Sequence, residues 1–448
     1  MGSLHSAALA CRGSAGFIPL SVLGAALQII LDVSRLIGSA QRSSPTGIDR
    51  VELAYAKRWC GESRFPCTFV MEVPILGFVA LPQAVVAELV AAIEDSWANG
   101  DRSAAAAVRR ARLAAPFGRG ALTELLRRPT PKAFLLVSHR MLDRPGPIEA
   151  LRRQGCHFVP LIHDLIPLLH PEFARAGHAE KHRRRIAATA RLADAIVVNS
   201  AATAADLKPW LSTSDPPPPI AVAPLGIIPS QVKAPPVALR PYFAVLGTIE
   251  PRKNHLLLLN LWRQMAATLG PAAPRLVVIG RRGWENENIV DMLERCAAID
   301  GIVQETGPLP DREVASLLRG ARALLFPSFA EGFGLPLAEA LALGVPAIAS
   351  DLPALREVGG AVPDYLDPMD GAAWRNAVVD YARGDSLARR AQLARLAGWK
   401  PPTWSEHFAI VDRVLDNLPH QSPVAQRPAP GRADIPGRTA SGRDDASR

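Results

Sequence analysis

The stretch LLFPSFAEGFGLPLAEA, residues 324–340, decides the fold class of this 448-residue chain. A short apolar run ends at Phe326, a loop with two glycines follows, and a helix begins near Leu335. Pro336 fits the first turn of that helix, where the missing N–H of proline costs nothing. The stretch therefore predicts a buried strand, a loop and a helix in direct succession, which is the repeating unit of a parallel sheet covered by helices.

The same unit recurs along the whole chain. Continuous apolar runs, rather than strict alternation, are typical of strands that helices bury on both faces. The runs lie at 28–33, 133–137, 157–162, 195–199 and 220–223 in the first half, and at 242–247, 275–279, 302–306, 323–326 and 345–349 in the second. We predict an α/β protein of two Rossmann-like domains, each with a doubly wound parallel sheet, that face each other across a cleft.

Changes in composition give the domain boundaries. A proline-rich stretch without an apolar period reads as a linker, and Thr403 can cap a last helix. The predicted parts are an N-terminal extension (1–27), a first domain (28–228) with an Ala-rich helical insertion (84–128), a linker (229–240), a second domain (241–402), a C-terminal helix (403–418) and a disordered tail (419–448).

Ligands of doubly wound sheets bind beyond the carboxyl ends of the strands. Gly332 and Gly334 let backbone approach a ligand closely, and the free N–H groups at the following helix start suit phosphate or sugar oxygens. Glu331 in the loop and Glu339 in the helix are pure acceptors when ionised, which suits sugar hydroxyls. A favourable contact with the helix dipole would explain Glu339 alone, but not the whole pattern.

This segment resembles the paired-glutamate signature of family 4 retaining glycosyltransferases with the GT-B fold, in which seven residues separate two glutamates. The resemblance extends over residues 28–418 and is strongest in 242–370. It implies that Glu331 contacts hydroxyls of the donor sugar and that Glu339 binds the ribose. It also implies retention of configuration and a C-terminal helix that packs back on the first domain. The backbone amides that it assigns to the sugar and diphosphate are those of Gly332, Phe333, Gly334 and Leu335.

A second strand end supports the resemblance. Gly247 and Thr248 follow the first strand of the second domain, and Arg252 and Lys253 come shortly after. Fixed cations stabilise the charge that a nucleoside diphosphate develops as it leaves. The segment looks like the family's phosphate-binding loop, whose lysine matches Lys253. Many members carry arginine where this chain has Thr248, and we expect Arg252 to compensate.

The first domain offers candidates on the acceptor side. His163 and Asp164 end a buried strand and are expected to point into the cleft, where family members often place such residues near the transferred sugar. The alternative for His163 is a histidine satisfied by local backbone. His139, after the preceding strand, is a weaker candidate for which the structural explanation is preferred. With Glu331 and Lys253, His163 and Asp164 complete the predicted catalytic set.

The loop after the first strand also resembles the family. Gly47 opens a helix and can let backbone approach the diphosphate from the opposite side of the cleft. Arg50, one turn later, could bind a phosphate of the donor or of a lipid-linked acceptor. An ordinary helix start is the alternative for both residues.

Absent motifs exclude other classes of enzyme. The sequence contains no DxD, GxGxxG, GxxxxGK[ST] or GxSxG, which argues against a metal-dependent GT-A transferase, a dinucleotide oxidoreductase, a P-loop NTPase and a serine hydrolase. The five cysteines and ten histidines show no metal-ligand spacing. We expect no metal and no cofactor, with the nucleotide sugar as a substrate.

Composition and charge bear on location and partners. Forty-eight per cent apolar residues and no run long enough to span a bilayer are typical of a globular protein, which we expect in the cytoplasm. The formal charge is +9, and the cations between Lys181 and Arg185 are expected to allow peripheral contact with the inner face of an anionic membrane. A simply solvated, Arg-rich surface is the alternative. We expect no nucleic acid partner.

The resulting prediction is a bacterial hexosyltransferase of polysaccharide or lipopolysaccharide synthesis. It would move mannose, with GDP-mannose as the favoured donor, to a glycan or lipid-linked acceptor without a metal. Two alternatives stay open, namely a sugar-nucleotide epimerase of GT-B fold and a non-catalytic protein that binds sugar nucleotides. The epimerase would need more acid and base groups in the cleft than His163 and Asp164.

Overall fold

The computed structural model describes residues 26–419 except 43, 62, 102, 213–215, 229–231 and 233–239. Most of the predicted N-terminal extension, most of the linker and nearly all of the predicted tail lie outside the described residues. The remaining chain forms two α/β units, which confirms the predicted fold class.

The first unit contains seven strands and nine helices among its described residues. In chain order they are β1 (Gln28–Asp32), α1 (Ser34–Ser39), α2 (Gly47–Cys60), β2 (Cys67–Val73), β3 (Gly77–Leu81), α3 (Gln83–Asn99), α4 (Ala104–Ala114), α5 (Gly118–Arg127), β4 (Lys132–Leu136), α6 (Gly146–Arg153), β5 (Cys156–Ile162), α7 (Ile166–Leu169), α8 (His178–Leu192), β6 (Ile196–Val198), α9 (Ala201–Leu211) and β7 (Ile220–Val222).

The second unit contributes six strands, and the last helix follows it. The elements are β8 (Tyr242–Leu246), α10 (His255–Leu269), β9 (Arg275–Ile279), α11 (Glu287–Arg295), β10 (Val303–Gly307), α12 (Asp311–Gly320), β11 (Leu324–Phe326), α13 (Leu335–Ala342), β12 (Ala347–Ser350), α14 (Pro353–Gly359), β13 (Asp364–Leu366), α15 (Gly371–Ala382), α16 (Leu387–Leu396) and α17 (Trp404–Asp416).

Both sheets have the doubly wound order. The first runs β3-β2-β1-β4-β5-β6-β7 and the second runs β10-β9-β8-β11-β12-β13. Every pair is parallel except β2 with β3, which form an antiparallel hairpin at the edge. The order reverses beside β1 in the first sheet and beside β8 in the second, and crevices for ligands form at these points.

The core explains why the strands are continuous apolar runs. Side chains of β1 alternate between two buried clusters, with Ile29 and Leu31 on one face of the sheet and Ile30 on the other. The second sheet is likewise covered on both faces. All ten predicted strands are present within a few residues of their predicted bounds. The β2–β3 hairpin and β13 were not predicted.

The last helix returns to the first unit. Thr403 and Glu406 form a capping box at the start of α17, as the sequence suggested for Thr403. Tyr55 Oη of α2 lies 2.8 Å from His407 Nε2, and His407 Nδ1 lies 3.1 Å from the carbonyl oxygen of Ala223. Phe408 packs against Tyr55 at a ring separation of 5.1 Å. These contacts tie α17 to the first sheet.

None of the helices in the described part of the chain is both long enough and apolar enough to cross a membrane.

Candidate active site

The loop between β11 and α13 carries Glu331 and lies where the two sheets face each other. A Cβ atom on Gly332 would lie 2.2 Å from the carbonyl oxygen of His163, so only glycine lets the loop pass this close to the first domain. Gly334 has φ +98°, which also favours glycine, and it is the N-cap of α13. Both positions of the motif therefore favour glycine, Gly332 because of the nearby backbone of His163 and Gly334 because of its own backbone conformation.

Two cations from the end of β8 meet the Glu331 carboxylate. Lys253 Nζ lies 2.5 Å from Glu331 Oε1, and Arg252 Nη1 lies 3.1 Å from Glu331 Oε2. The three side chains are 10%, 17% and 8% exposed for Lys253, Arg252 and Glu331. The structure thus brings together residues 78 positions apart in sequence into one buried ionic cluster.

The cluster fixes the charge of Glu331. Burial alone would raise the pKa of this carboxyl group, but Arg252 and Lys253 outweigh burial and hold the pKa at about 2. Burial also lowers the pKa of Lys253, although Glu331 opposes that change. Glu331 is therefore an anion throughout the physiological pH range and accepts hydrogen bonds only.

Arg252 is held by several partners. Its guanidinium donates to Glu250 Oε1 at 2.7 Å and to the carbonyl oxygen of Ala330 at 2.6 Å, besides its pair with Glu331. Arg252 thus fixes the position of the loop before Glu331. That Arg252 also compensates for Thr248 stays a prediction.

Gly247 and Thr248 lie beside the cluster at the end of β8. A Cβ atom on Gly247 would lie 3.4 Å from Lys253 Cε, and the Gly247 N–H donates to the carbonyl oxygen of Ile279 at 3.0 Å. Thr248 Cγ2 approaches Gly283 in the loop after β9. The predicted phosphate loop is therefore folded against the end of the neighbouring strand.

His163 is held by backbone, as the alternative explanation proposed. The side chain is buried, and its Nε2 lies 2.7 Å from the carbonyl oxygen of Val137. Burial lowers the pKa of His163 to about 4, which outweighs the opposite effects of that hydrogen bond and of Asp164. The imidazole is therefore neutral at pH 7, with Nε2 as its hydrogen-bond donor.

Two further histidines join His163 at the carboxyl ends of β4 and β5. The His139 ring lies 5.4 Å from the ring of His163 and 5.2 Å from that of His182. His182 Nε2 lies 3.1 Å from the carbonyl oxygen of Asp164. Burial lowers the pKa of both histidines. The described residues hold no group of three or more histidines, cysteines or carboxylates that could bind a metal ion.

Asp164 lies between the domains. Its Oδ1 accepts a hydrogen bond from the Ile166 N–H at 3.2 Å, and its Cβ would lie 2.9 Å from a Cβ atom on Gly332. Half-buried, this carboxylate faces the loop that carries Glu331. The structure therefore places Asp164 close to the ionic cluster, with one oxygen used locally.

The first domain holds the Glu331 loop in place by direct contacts. Ser200 Oγ donates to the Gly332 carbonyl oxygen at 2.7 Å, and Thr203 Oγ1 lies 3.2 Å from the same oxygen. Phe173 stacks on Phe329 at a ring separation of 5.3 Å. Sequence reasoning missed these contacts, since nothing in the local pattern pairs residues 129 to 132 positions apart.

Glu339 and Arg50 meet on the other side of α13. Arg50 donates two hydrogen bonds of 2.6 Å to Asp311, and its Nε lies 4.0 Å from Glu339 Oε1. Burial raises the pKa of Glu339, against the effect of Arg50. Gly47 packs at the same place, where a Cβ atom would lie 3.1 Å from Leu335 Cδ1. The predicted Gly47 loop and the predicted nucleotide helix are thus in contact.

A cavity of about 570 Å³ opens beside Arg50 and Glu339. It lies between α2 and α3 of the first domain and α12 and α13 of the second. Its apolar lining includes Leu335, Ile227 and Trp404. The cavity has the size and the mixed lining of a small-molecule site.

Trp284, in the loop after β9, has a packing role. Its Nε1 donates to the Phe173 carbonyl oxygen at 3.1 Å, and the Arg175 guanidinium lies 5.1 Å from its ring centre. Trp284 therefore packs between the two domains.

A buried acid pair at the end of β1 was also missed. Asp32 accepts from the Ser34 N–H at 3.1 Å, and Glu52 Oε1 accepts from the Leu36 N–H at 3.2 Å. Burial raises the pKa of Asp32 to about 6 and raises that of Glu52, which the charge of Asp32 raises further. A carboxylate at the end of a buried strand, such as Asp32 at the end of β1, is the sequence signal that could have found it.

Known proteins resemble this chain in sequence and in fold. Residues 232–361 match the family model for glycosyl transferases group 1. The second domain is a glycosyl transferase group 1 domain. The match covers β8, β9 and the whole Glu331 loop, so the ionic cluster lies inside the glycosyl transferase domain.

The curated relatives of this chain include O-antigen chain mannosyltransferase B of Escherichia coli. It is 34% identical over 168 residues, which are 38% of this chain and 44% of the relative. The serotype-specific mannosyltransferase WbdA of Escherichia coli is 26% identical over 310 residues, or 65% of this chain and 37% of the relative. The chain thus spans less than half the length of these relatives.

Solved structures share the fold of the whole chain. Anabaena Alr3699/HepE in complex with UDP-glucose superposes with a TM-score of 0.58 at 14% identity, covering 87% of this chain and 100% of that one. Sucrose-phosphate synthase from Thermosynechococcus elongatus has a TM-score of 0.57 at 16% identity, covering 88% and 99%. The two-domain fold is therefore GT-B, as the sequence predicted.

Proposed function

We propose that the protein is a retaining, metal-independent glycosyltransferase that moves a hexose, mannose in particular, from a nucleoside diphosphate sugar to a glycan or lipid-linked acceptor. The observation that carries the proposal is the buried cluster of Glu331, Lys253 and Arg252 at the carboxyl edge of the second sheet. This edge is where doubly wound domains bind nucleotides.

The cluster suits the loss of a diphosphate. As the bond between the sugar and the diphosphate breaks, negative charge grows on the leaving oxygen. Lys253 and Arg252 hold positive charge at this place in a region from which water is largely excluded, where each contact is worth about 3–4 kcal/mol of transition-state stabilisation. These two cations can do the work that a divalent metal does elsewhere, and this supports metal independence.

Glu331 has two roles in the proposal. Its ion pairs fix the Lys253 ammonium group, and its fixed negative charge accepts hydrogen bonds from the hydroxyls of the donor sugar. The amides of Gly332, Phe333, Gly334 and Leu335 follow directly in the chain, and those at the start of α13 face the diphosphate. Glu339 and the adjoining cavity then receive the nucleoside.

The acceptor enters from the first domain. Asp164 has one carboxylate oxygen engaged by Ile166, which leaves the other for an acceptor hydroxyl. His163 is neutral and bound to backbone, so we assign it a positioning role beside the transferred sugar and no proton transfer. The acceptor hydroxyl attacks the same face that the diphosphate leaves, and the leaving phosphate takes its proton.

The names of the relatives support mannose as the transferred sugar, since both matched Escherichia coli proteins are mannosyltransferases. GDP-mannose is therefore the proposed donor. The four described cysteines are free thiols, which suits a reducing compartment such as the cytoplasm.

The decisive experiment measures nucleoside diphosphate release from a panel of UDP-, GDP- and ADP-sugars in EDTA, with and without a glycolipid extract. We expect release of GDP from GDP-mannose only, dependent on the extract, and about 10²–10³-fold slower in Glu331→Gln. Glu294→Gln is the matched control, because Glu294 pairs with Arg282 at an exposed site.

Three outcomes would contradict parts of the proposal. Activity that requires a divalent metal would exclude metal independence. Isomerised sugar nucleotide without acceptor would favour the epimerase. Donor binding without turnover, with every acceptor tested, would favour a non-catalytic binding protein.

A further inference from the structure

The helical insertion of the first domain presents exposed apolar side chains on a basic surface. Phe117 is 86% exposed and Leu113 is 66% exposed. They lie at the end of α4 and in the turn that joins it to α5. We call the surface formed by residues 104–128 the α4–α5 surface. Large apolar side chains that stand this far out of a fold mark contact sites when charged residues surround them.

The charge of the α4–α5 surface is strongly one-sided. Residues 104–128 contain six arginines and a single acidic residue, Glu124. The arginines are all exposed, and they are Arg109, Arg110, Arg112, Arg119, Arg127 and Arg128. Only two of them pair with a carboxylate among the described residues, Arg110 with Glu88 and Arg128 with Glu124.

Helical spacing places the apolar and basic groups side by side. Arg109 and Leu113 are four residues apart on α4 and therefore lie on the same face. The opposite face of α4 is buried through Ala104, Val108 and Ala111. The segment is thus amphipathic, with a packed inner face and an outer face that combines arginines with Leu113 and Phe117.

We propose that the α4–α5 surface docks on an anionic lipid bilayer. Helices that lie in a membrane interface insert aromatic and aliphatic side chains at the level of the headgroups, while arginines beside them bind phosphates of anionic lipids. Charge complementarity selects this partner. A second copy of the chain in a symmetric contact would bring the same unpaired arginines against each other.

This assignment differs from the basic helix that the sequence indicated. In α8, Lys181 and Arg185 both pair with Asp143, at 3.6 and 3.4 Å. Arg183 and Arg184 both lie within ion-pair distance of Glu180. No large apolar side chain of α8 is exposed among the described residues. Each of these four α8 cations therefore has a carboxylate partner, and no exposed apolar anchor lies beside them on the helix.

The proposal also fits the proposed function without depending on it. The α4–α5 surface belongs to the first domain, which we assign to the acceptor. Docking through it would hold this domain at the bilayer, where a lipid-linked acceptor resides.

The test is vesicle co-sedimentation of the whole chain with phosphatidylcholine vesicles, with and without phosphatidylglycerol. We expect binding only to the anionic vesicles. Replacing both anchors in a Leu113→Ser, Phe117→Ser variant should lower the partition coefficient by more than about tenfold. Charge reversal through Arg109→Glu, Arg112→Glu and Arg119→Glu should abolish binding.

Two control variants match these changes. Leu387→Ser removes a side chain that is 74% exposed on α16, and Arg183→Glu with Arg184→Glu reverses charge on α8. Both should bind like the unmodified protein. The thermal unfolding midpoint of every variant shows whether it has folded.

The outcomes separate this proposal from the proposed function, since vesicle binding needs no donor or acceptor. Unchanged binding of the folded anchor variant, or loss of binding in the α8 variant, would overturn the proposal. A dimer in light scattering that the anchor variant converts to monomer would assign the surface to a second copy of the chain instead.

Discussion

The carboxyl edges of the two sheets face the same cleft but carry opposite kinds of electrostatics. The edge of the second sheet is ionic, since Glu331, Lys253 and Arg252 form close pairs and Glu331 stays charged down to a pKa of about 2. At the edge of the first sheet burial disfavours the charged forms, since it lowers the pKa of His163 to about 4 and raises that of Asp32 to about 6.

The difference matches the chemistry that each edge is proposed to serve. A diphosphate is charged and gains charge as it leaves, so fixed ions are useful on the donor side. A sugar hydroxyl on the acceptor side is uncharged, so it needs no cluster of fixed cations. Four variants test whether the two edges differ as described.

The largest effect is expected from the ionic edge. Lys253→Met removes one of the two cations beside the leaving diphosphate and should reduce turnover about 10²–10³-fold. Lys181→Met is the control, because Lys181 pairs with Asp143 on the surface of the first domain. Turnover of Lys253→Met within twofold of Lys181→Met, measured as nucleoside diphosphate release, would contradict the assigned role.

His163→Gln tests the neutral state of the first edge. With a folded pKa of about 4 against an ordinary 6.5, the folded protein binds fewer protons than the unfolded chain, so His163 costs stability as the pH falls from 6.5 to 4. The cost reaches about 3 kcal/mol, and glutamine removes it. Urea unfolding across this range should give a flatter curve for the variant, and parallel curves would show that His163 titrates normally.

Asp32→Asn tests the raised pKa of the buried carboxyl group at the same edge. The folded pKa of about 6 exceeds the ordinary 3.8, so the folded protein binds more protons and stability is lost as the pH rises from 4 through 6. The variant avoids this loss of about 3 kcal/mol. Asp32 Oδ2 has no hydrogen-bond partner, so the new amide group costs about 1 kcal/mol.

The net expectation for Asp32→Asn is a gain of about 2 kcal/mol in unfolding free energy at pH 7 relative to the unmodified protein. At pH 4, where Asp32 is protonated in the fold of the unmodified protein, the cost of the amide remains and the variant should be slightly less stable. A variant that is less stable than the unmodified protein at both pH values would show that burial does not raise the pKa of Asp32.

The smallest effect is expected from an ion pair that joins the two domains and is partly exposed to solvent. Asp311→Asn breaks the pair with Arg50, whose side chains are each about one-third exposed. Such pairs contribute at most about 1 kcal/mol and are screened by salt. A double-mutant cycle with Arg50→Gln, measured at low and high salt, should give a coupling that disappears at high salt.

Much of the fold could be predicted because parallel strands buried on both faces are continuous apolar runs. Strand β2 was missed because five of its seven residues are only partly buried, so its pattern differs from that of the inner strands. Strand β3 lies at the sheet edge, and its buried run Phe78–Leu81 could have been noticed. Strand β13 has three half-buried residues, too few for any period to be visible.

The candidate site likewise has features that the sequence shows and features that it does not. The spacing of Glu331 and Glu339 and the position of Lys253 after β8 are local features, and sequence can show them. The neutral state of His163 depends on burial and on the Val137 carbonyl oxygen, 26 positions away, so sequence cannot show it. His182 could have been noticed, because it shares the buried stripe of α8 with Ile186 and Thr189.

The hydrogen bonds from Ser200 and Thr203 to Gly332 limit how the two halves can be recombined with those of relatives. Glu357 of α14 adds to this junction by accepting from the Ala201 N–H at 2.6 Å and the Ala202 N–H at 2.7 Å, at the start of α9. A chimera that keeps the second domain but imports a first domain without the Ser200 hydroxyl would inherit the whole glutamate signature and lose the support of its loop. Donor and acceptor specificities should therefore be exchanged together with this junction.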